Sequence, residues 1–538
     1  SSPDNFSSPR WSPDGNRLAY LSNVGRGQQL YVRWMDTGQT ALLTNIQLSA
    51  SNLSWSPDGE TIAFTMSVEV DEKPYPINMP EKPEGAEWSP AFEYVTRARY
   101  QADGRGILEP AYTHVFIVPA QGGSARQLTS GSYNHGGSLS WAPNSEEILF
   151  SANRGDNWEF ETREADIYGV SLYGNIRQIT DTPGFEGTPS VSADGRLIAY
   201  VKSDNKKLAY RNRYLHLMNF DGSNDRNLSA NIDNSLSNAQ WDGNNGLFYQ
   251  MTVRGITQVG HVNLEGRHQE VAGGLGGESL GRPYASGGYN VAAGTIAYTK
   301  GAFNRPSDLF VLVDGVEVRL TQLNEDLLGH KVLGGIHEII YNSSIDDEEI
   351  QGWYMTPPDY DSSKQYPLIL EIHGGPHSAY GPHFSAEMQR MATEGYIVFF
   401  NNHRGSTSYG ERFALLLQNK YSSEYDFSDH MSGIDELIEQ GIIDGDQLYI
   451  TGGSAGGIAA AYAIGLTDRF RAAAVAKPVV NWVSKVLTAD SGIGQIDNQF
   501  PSLPWENIDD YWKRSPLSLV GNMSTPTLLL VGTEDRRT

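Results

Sequence analysis

The sequence predicts a β-propeller of about seven blades over residues 1–330, followed from 331 to 538 by a mostly parallel, helix-covered sheet. Three observations lead there. A turn of the type Ser-Pro-Asp-Gly, each time followed by a short alternating strand, recurs through the first half. From Val332 onward the strands become continuous apolar runs separated by helical segments. Within that second half, Gln447 to Ala463 reads QLYITGGSAGGIAAAYA: an apolar run, a glycine-packed turn around Ser454, then helix formers.

At 538 residues the chain is too long for one ordinary domain, so two or more parts should each bury a core. The repeat reads WSPDGNRLAY from Trp11 and WSPDGETIAF from Trp55. Degenerate copies start at Trp141, Val191, Trp241 and Ala292, about 50 residues from one to the next. Between them an apolar strand, a Gly turn and a polar strand recur, as in VFIVPAQGGSARQLT to Thr129 and IYGVSLYGNIRQIT to Thr180. Each period thus holds about four strands, the content of a propeller blade, which cannot cover its own apolar face and stacks on its neighbours. A β-sandwich is the alternative, but sandwiches show turn signals without a long repeat.

One period is stretched, with Pro57 and Pro143 lying 86 residues apart. The extra piece, about Asp71 to Tyr112, is rich in Pro, charge and aromatics and reads as a structured excursion from its blade. Arg97 and Arg99 within it are candidates to hold a substrate carboxylate or carbonyl, the plainer reading being solvent-facing surface.

The second half runs YPLILEIHGG, GYIVFFNNHRG, QLYITGGSAGG, AAAVAKPVV and TPTLLLVG, with helical segments such as MSGIDELIEQG between. Strands alternating with helices make an α/β sheet covered on both faces. The pattern G-x-S-x-G occurs twice, at Gly452, Ser454, Gly456 and at Gly277, Ser279, Gly281. Only Ser454 has an apolar strand before it and a helix after it, the setting that holds a nucleophilic hydroxyl out on a strained corner. Ser279 reads as a loop serine. A phosphate-binding helix N-terminus is the other reading of the Ser454 turn.

A serine nucleophile needs a base, and the base an orienting acid. Asp535 follows TPTLLLVGTE at the C-terminal edge of a buried-looking strand, where sites in such sheets gather; a solvated loop aspartate is the alternative. In an α/β-hydrolase the histidine comes after the acid. All 12 histidines precede Asp535, the last being His430, so the expected base is absent from residues 331–538 unless an upstream histidine substitutes. HGGPH, His373 to His377, ends an apolar strand in a Gly-Gly turn with unobstructed N–H groups. Gly375 and Ala455 are the expected oxyanion donors, each worth roughly 3 to 4 kcal/mol. His373, His377, His383 and His403 show no metal-ligand spacing, so no metal site is expected.

With 64 acidic against 40 basic residues the formal net charge is −24, which opposes binding to nucleic acid or an anionic membrane. No run approaches the ~18 apolar residues of a membrane span. The absence of cysteine excludes disulfides, thiolate metal sites and a Cys nucleophile. The polar opening SSPDNFSSPRWSPDG has neither Met nor a signal-type apolar stretch, which suggests processing or trimming. Together with the lack of cysteine, it favours the periplasm or secretion over the cytoplasm.

HGGPH, NNHRGSTSYG from Asn401, GGSAGG from Gly452, KPVVNW from Lys477 and GTEDRRT from Gly532, joined to the β-repeat region, resemble the prolyl oligopeptidase family of serine peptidases. The acylaminoacyl peptidase branch is the most similar, and the resemblance covers nearly the whole chain. It implies a β-propeller domain gating an α/β-hydrolase domain, so that only short or unfolded peptides are admitted. It also implies Ser454 as nucleophile, Asp535 as triad acid, Gly375 and Ala455 as oxyanion donors, no cofactor, and a homo-oligomer. The family's histidine is expected beyond Thr538.

Substrate choice is less legible. Phe500, Trp505 and Trp482 are candidate walls of an apolar pocket, or plain core. A dipeptidyl peptidase needs an acidic pair for the free α-amino group; Glu159, Glu161 and Glu164 are candidates, solvated surface the plainer reading. Acylaminoacyl peptidase or oligopeptidase activity is the leading expectation, with a dipeptidyl peptidase or a non-catalytic binding protein as the alternatives.

Overall fold

The computed structural model describes residues 5–23, 28–46, 48–70, 80–89 and 94–538. The chain divides into two compact units, one of residues 1–200 with 219–223 and one of 201–218 with 224–538.

The first unit is built from antiparallel sheets of four strands. Phe6–Trp11, Arg17–Ser22, Gln29–Trp34 and Thr40–Leu42 form the first; Gly136–Trp141, Glu147–Ala152, Asp166–Ser171 and Ile176–Gln178 form the third. The repeated turn explains why these strands form. Ser12 donates its hydroxyl to Asp14 and accepts the Arg17 N–H at 2.9 Å, while Gly15 takes φ 71°, a backbone state that costs glycine little. Ser56, Asp58 and Gly59 repeat the arrangement, as do Ser192, Asp194 and Gly195. The repeat's tryptophan ties one sheet to the one before. Trp55 Nε1 donates to the Arg10 carbonyl at 2.9 Å, and Trp141 Nε1 to the Ser54 carbonyl at 3.2 Å.

In the second sheet, Ala50–Trp55, Thr61–Glu69, Ala111–Pro119 and Arg126–Gln127, the expected excursion separates the middle strands. Its described part contains a small hairpin of Gln101–Ala102 with Gly106–Ile107. Residues 71–79 and 90–93 of it lie outside the described residues. Four more strands, Phe185–Val191, Leu197–Ser203, Tyr214–Asn219 and Arg226–Asn227, fall where the sequence passes between the units.

In the second unit, four strands from Ser237 to Leu275 and four from Tyr289 to Arg319 join through one Leu275–Lys300 pairing into an eight-stranded sheet. Six strand quartets therefore run from Phe6 to Arg319 among the described residues, beside an expectation of about seven.

Seven further strands form the α/β sheet, in the order 336–342, 349–355, 397–402, 366–372, 443–453, 470–476, 527–530. The first three pair antiparallel and the rest parallel. Ile397–Asn402 is buried at every position, as a strand covered on both faces requires. Helix Glu424–Glu439 starts at a capping box of Ser423 and Asp426, and its Ile434 and Leu437 pack on the same core as Leu370 and Ile450. No helix of the described residues is long and apolar enough to cross a membrane.

Candidate active site

Strand Ile443–Gly453 ends one residue before Ser454 and helix Ala455–Leu466 begins one residue after it. Ser454 itself takes φ 57° and ψ −121°, a state that side chains rarely adopt and that surrounding structure must impose. Here the constraint is steric. A Cβ on Gly452 would stand 2.4 Å from the Gly456 carbonyl oxygen, one on Gly456 2.0 Å from that of Ile372, and one on Gly457 2.5 Å from that of Ala476. The Ser454 N–H donates to the Ala476 carbonyl at 3.0 Å, and Ser454 is half-buried.

The Gly-Gly turn after strand Tyr366–Ile372 lies against this corner, since a Cβ on Gly374 would be 3.5 Å from that of Ser454. His373 Nδ1 donates to the Gly374 carbonyl at 2.9 Å, and its Nε2 lies 2.9 Å from Ser406 Oγ. Ser378 Oγ also donates to Gly374 O, and the Gly374 N–H donates to Tyr284 Oη at 2.8 Å. The N–H groups of Gly375 and Ala455 enter none of the hydrogen bonds among the described residues. Two unspent backbone donors thus occur here, one on the residue after Ser454 and one on the Gly-Gly turn that lies against the corner.

The ring of His373 stacks on His403 at 4.6 Å, and His403 meets His430 edge-on at 5.0 Å. Burial lowers His373 to about 4 and His430 to about 3, and holds His403 well below the ordinary histidine value. These rings are neutral supports, with no hydrogen bond from any described histidine to Ser454.

Asp535 lies five residues beyond strand Thr527–Leu530. That strand pairs in parallel with 470–476, which in turn pairs with the strand leading to Ser454, so both residues follow C-terminal strand ends of one sheet. Partial burial acts to raise its carboxyl, but hydrogen bonds from the Thr538 N–H and hydroxyl and the Arg537 N–H, with the Lys477 charge, outweigh it and hold the pKa below the ordinary carboxylate value.

The three proposed pocket aromatics separate. Trp482 and Phe500 are 2% and 4% exposed, in one cluster with Ala455, Ile458 and Tyr421, and Phe500 stacks on Tyr511 at 3.7 Å. They are core, the plainer of the two readings, because neighbouring rings occupy their faces. Trp505 is 71% exposed and belongs to no buried cluster.

Arg97 and Arg99 line a cavity of about 450 Å³ in the first unit, with Arg105, Tyr100 and Trp158. Arg97 lies over the Tyr112 ring and donates to the Ala111 carbonyl, so it supports its own loop, whereas Arg99 is exposed. Glu159 lines the same cavity, Glu161 is exposed, and Glu164 accepts the Gly184 N–H. Ser279 sits in the loop between strands His268–Leu275 and Tyr289–Ala292, as a loop serine should.

That loop supplies what the sequence reading missed. Besides Tyr284, it carries Arg282, whose Nε is 2.9 Å from the buried Glu371 carboxylate, and whose guanidinium abuts Gly453: a Cβ there would be 2.4 Å from Arg282 Nη1. Burial raises Glu371 to about 7 against the opposing Arg282 charge. Neither residue carries a local signal, since their partners lie some 90 positions away.

Residues 382–538 match the prolyl oligopeptidase family and residues 1–245 the TolB β-propeller domain. An uncharacterized peptidase of Bacillus subtilis, YuxL, is 31% identical over 98% of this chain and 81% of its own length. Dipeptidyl-peptidase 5 of Porphyromonas gingivalis is 22% identical over 98% of this chain and 78% of its own. The acylamino-acid-releasing enzyme of Arabidopsis thaliana is 35% identical over 33% of this chain and 24% of its own. Among solved structures, Pyrococcus horikoshii acylaminoacyl peptidase superposes with TM-score 0.82 at 22% identity, covering 99% of this chain and 79% of that one. The chain belongs to the prolyl oligopeptidase family: it is a serine peptidase with a β-propeller and an α/β-hydrolase domain.

Proposed function

We propose that Ser454 is the nucleophile, Asp535 the acid of its triad, and the N–H groups of Gly375 and Ala455 the oxyanion donors. The proposed substrates are short peptides of the acylaminoacyl or oligopeptide type. The observation that carries this reading is the left-handed corner at Ser454, with an unspent N–H at Ala455 and another on the Gly-Gly turn packed against that corner. Ser454 Oγ passes its proton to an imidazole oriented by Asp535 and attacks the scissile carbonyl carbon. The tetrahedral oxyanion is held by the two N–H groups, the amine leaves with the proton, and water cleaves the acyl-enzyme. In the order Ser, Asp, His the base follows the acid, and the imidazole is proposed to follow Thr538 in the full-length protein. The exchange between domains is proposed near residue 330, between the last antiparallel quartet at Arg319 and the strand beginning at Ile336.

The substrate class rests on what the relatives are named for. Similarity to acylamino-acid-releasing enzymes over about a third of the chain supports release of an N-acylated residue. Similarity to dipeptidyl-peptidase 5 over nearly the whole chain favours the second reading, release of a dipeptide from a free N-terminus. Comparing kcat/KM for matched peptides with acetylated and free N-termini tests the two. Faster cleavage of the acetylated peptide is expected; dipeptide release confined to free N-termini contradicts the acylaminoacyl reading.

A further inference from the structure

The loop between Leu275 and Tyr289 makes more contact with the hydrolase part of its own unit than a connector needs. Ala285 N–H donates to Ala379 O and Gly381 N–H to Pro283 O, both at 2.9 Å, and Ser385 Oγ donates to Gly281 O at 2.7 Å. Tyr284 packs edge-on against Tyr380 at 4.7 Å, and Arg282 is paired with Glu371 at 2.9 Å. This framework delivers one phenol oxygen to one backbone N–H, that of Gly374.

We propose that Tyr284 is a positioning residue for the oxyanion turn. The proposal rests on the reading of Gly375 as an oxyanion donor. A Gly-Gly turn is conformationally permissive, so it holds one geometry only where neighbours impose it. The peptide unit joining Gly374 to Gly375 is planar, which makes the Gly374 C=O and the Gly375 N–H point in opposite directions. His373 and Ser378 hold that carbonyl from one side. Tyr284 holds the preceding peptide unit through the Gly374 N–H. With both units flanking Gly374 pinned, the Gly375 N–H is directed away from His373 and Ser378. The phenol acts on the donor through the backbone, without reacting itself. Without its acceptor the Gly374 peptide regains freedom to rotate, and the donor's placement is lost as a fraction of the time.

Tyr284→Phe in the full-length enzyme tests this, because it keeps the ring against Tyr380 and removes only the acceptor. The expected result is a kcat lowered about 10- to 100-fold, as for a misplaced catalytic group, with KM within about twofold. The affinity for a peptide boronic acid, which mimics the tetrahedral intermediate, should fall by the factor seen in kcat. Affinity for the product peptide and the unfolding midpoint should not move. An unchanged kcat overturns the proposal, as does a joint fall of kcat, product affinity and midpoint, which a purely structural role would give. Should Tyr284→Phe fail to fold, Tyr284→4-fluorophenylalanine nearly keeps the shape and replaces the oxygen by an organic fluorine, a poor acceptor. It should lower kcat severalfold at constant KM, and no effect overturns the proposal. Ser454→Ala is run in parallel. Turnover surviving it overturns the reading of the nucleophile and this proposal together, whereas its loss beside an unchanged Tyr284→Phe overturns the positioning role alone.

Discussion

Three glycines around Ser454 have no room for a methyl group, and Gly456 is the most confined, with the Ile372 carbonyl 2.0 Å from where a Cβ would stand. Gly456→Ala is expected to cost about 3 kcal/mol in urea unfolding, because the carbonyl belongs to a central strand that cannot yield. A cost below about 0.5 kcal/mol would mean the corner relaxes freely. The histidine stack sets a second expectation. His430 is lowered to about 3, so between pH 6.5 and about 3 the unfolded chain binds a proton there that the folded chain refuses. Stability contributed by the neutral ring is therefore lost as pH falls through that window, by up to about 1.4 kcal/mol per pH unit. His430→Phe should flatten the fall by that amount between pH 6 and 4, measured by urea unfolding; an unchanged slope contradicts a neutral buried imidazole. Glu371, raised to about 7, runs the other way: the folded chain keeps a proton the unfolded chain loses, and its contribution fades as pH rises towards 7. Residue types around Ser454 were legible because strand, glycines and helix formers are all local. Tyr284 and Arg282 were not, since a hydrogen bond to Gly374 or a pair with Glu371 leaves no mark on the flanking sequence.

At the scale of elements, the stretch Asn401 to Gly410 is held to helix Glu424–Glu439 by charge. Arg404, 1% exposed at its side chain, donates to Asp429, whose side chain is fully buried, at 2.8 Å, and to Asp346 at 2.8 Å. Asn401 and Asn402 complete the brace through Tyr341, Tyr380 and Tyr409. Arg404→Met should destabilise by about 3–5 kcal/mol, because it strands a buried carboxylate, and a further Asp429→Leu should restore part of the loss. A double variant no more stable than the single one would place the cost in packing rather than charge. The repeated turn was readable because Ser, Asp and Gly each satisfy a need within five residues. The aromatics were not assignable to pocket or core: Trp482 and Phe500 became core through Tyr421 and Tyr511, partners contributed by other segments.

For the molecule as a whole, the change of pattern near residue 330 separated antiparallel quartets from a helix-covered sheet, and both architectures belong to the family. Strand count was less legible than strand type, since the degenerate repeats from Trp241 onward keep the alternation but lose the Ser-x-Asp-Gly spelling. The central claim is that one hydroxyl in this chain, that of Ser454, carries the peptidase chemistry. Reaction of the full-length enzyme with a fluorophosphonate, followed by mapping of the adduct by peptide mass spectrometry, tests it most directly. A single adduct on the peptide containing Ser454, absent in Ser454→Ala, is the predicted result; an active enzyme labelled elsewhere, or one left unlabelled at Ser454, would contradict it.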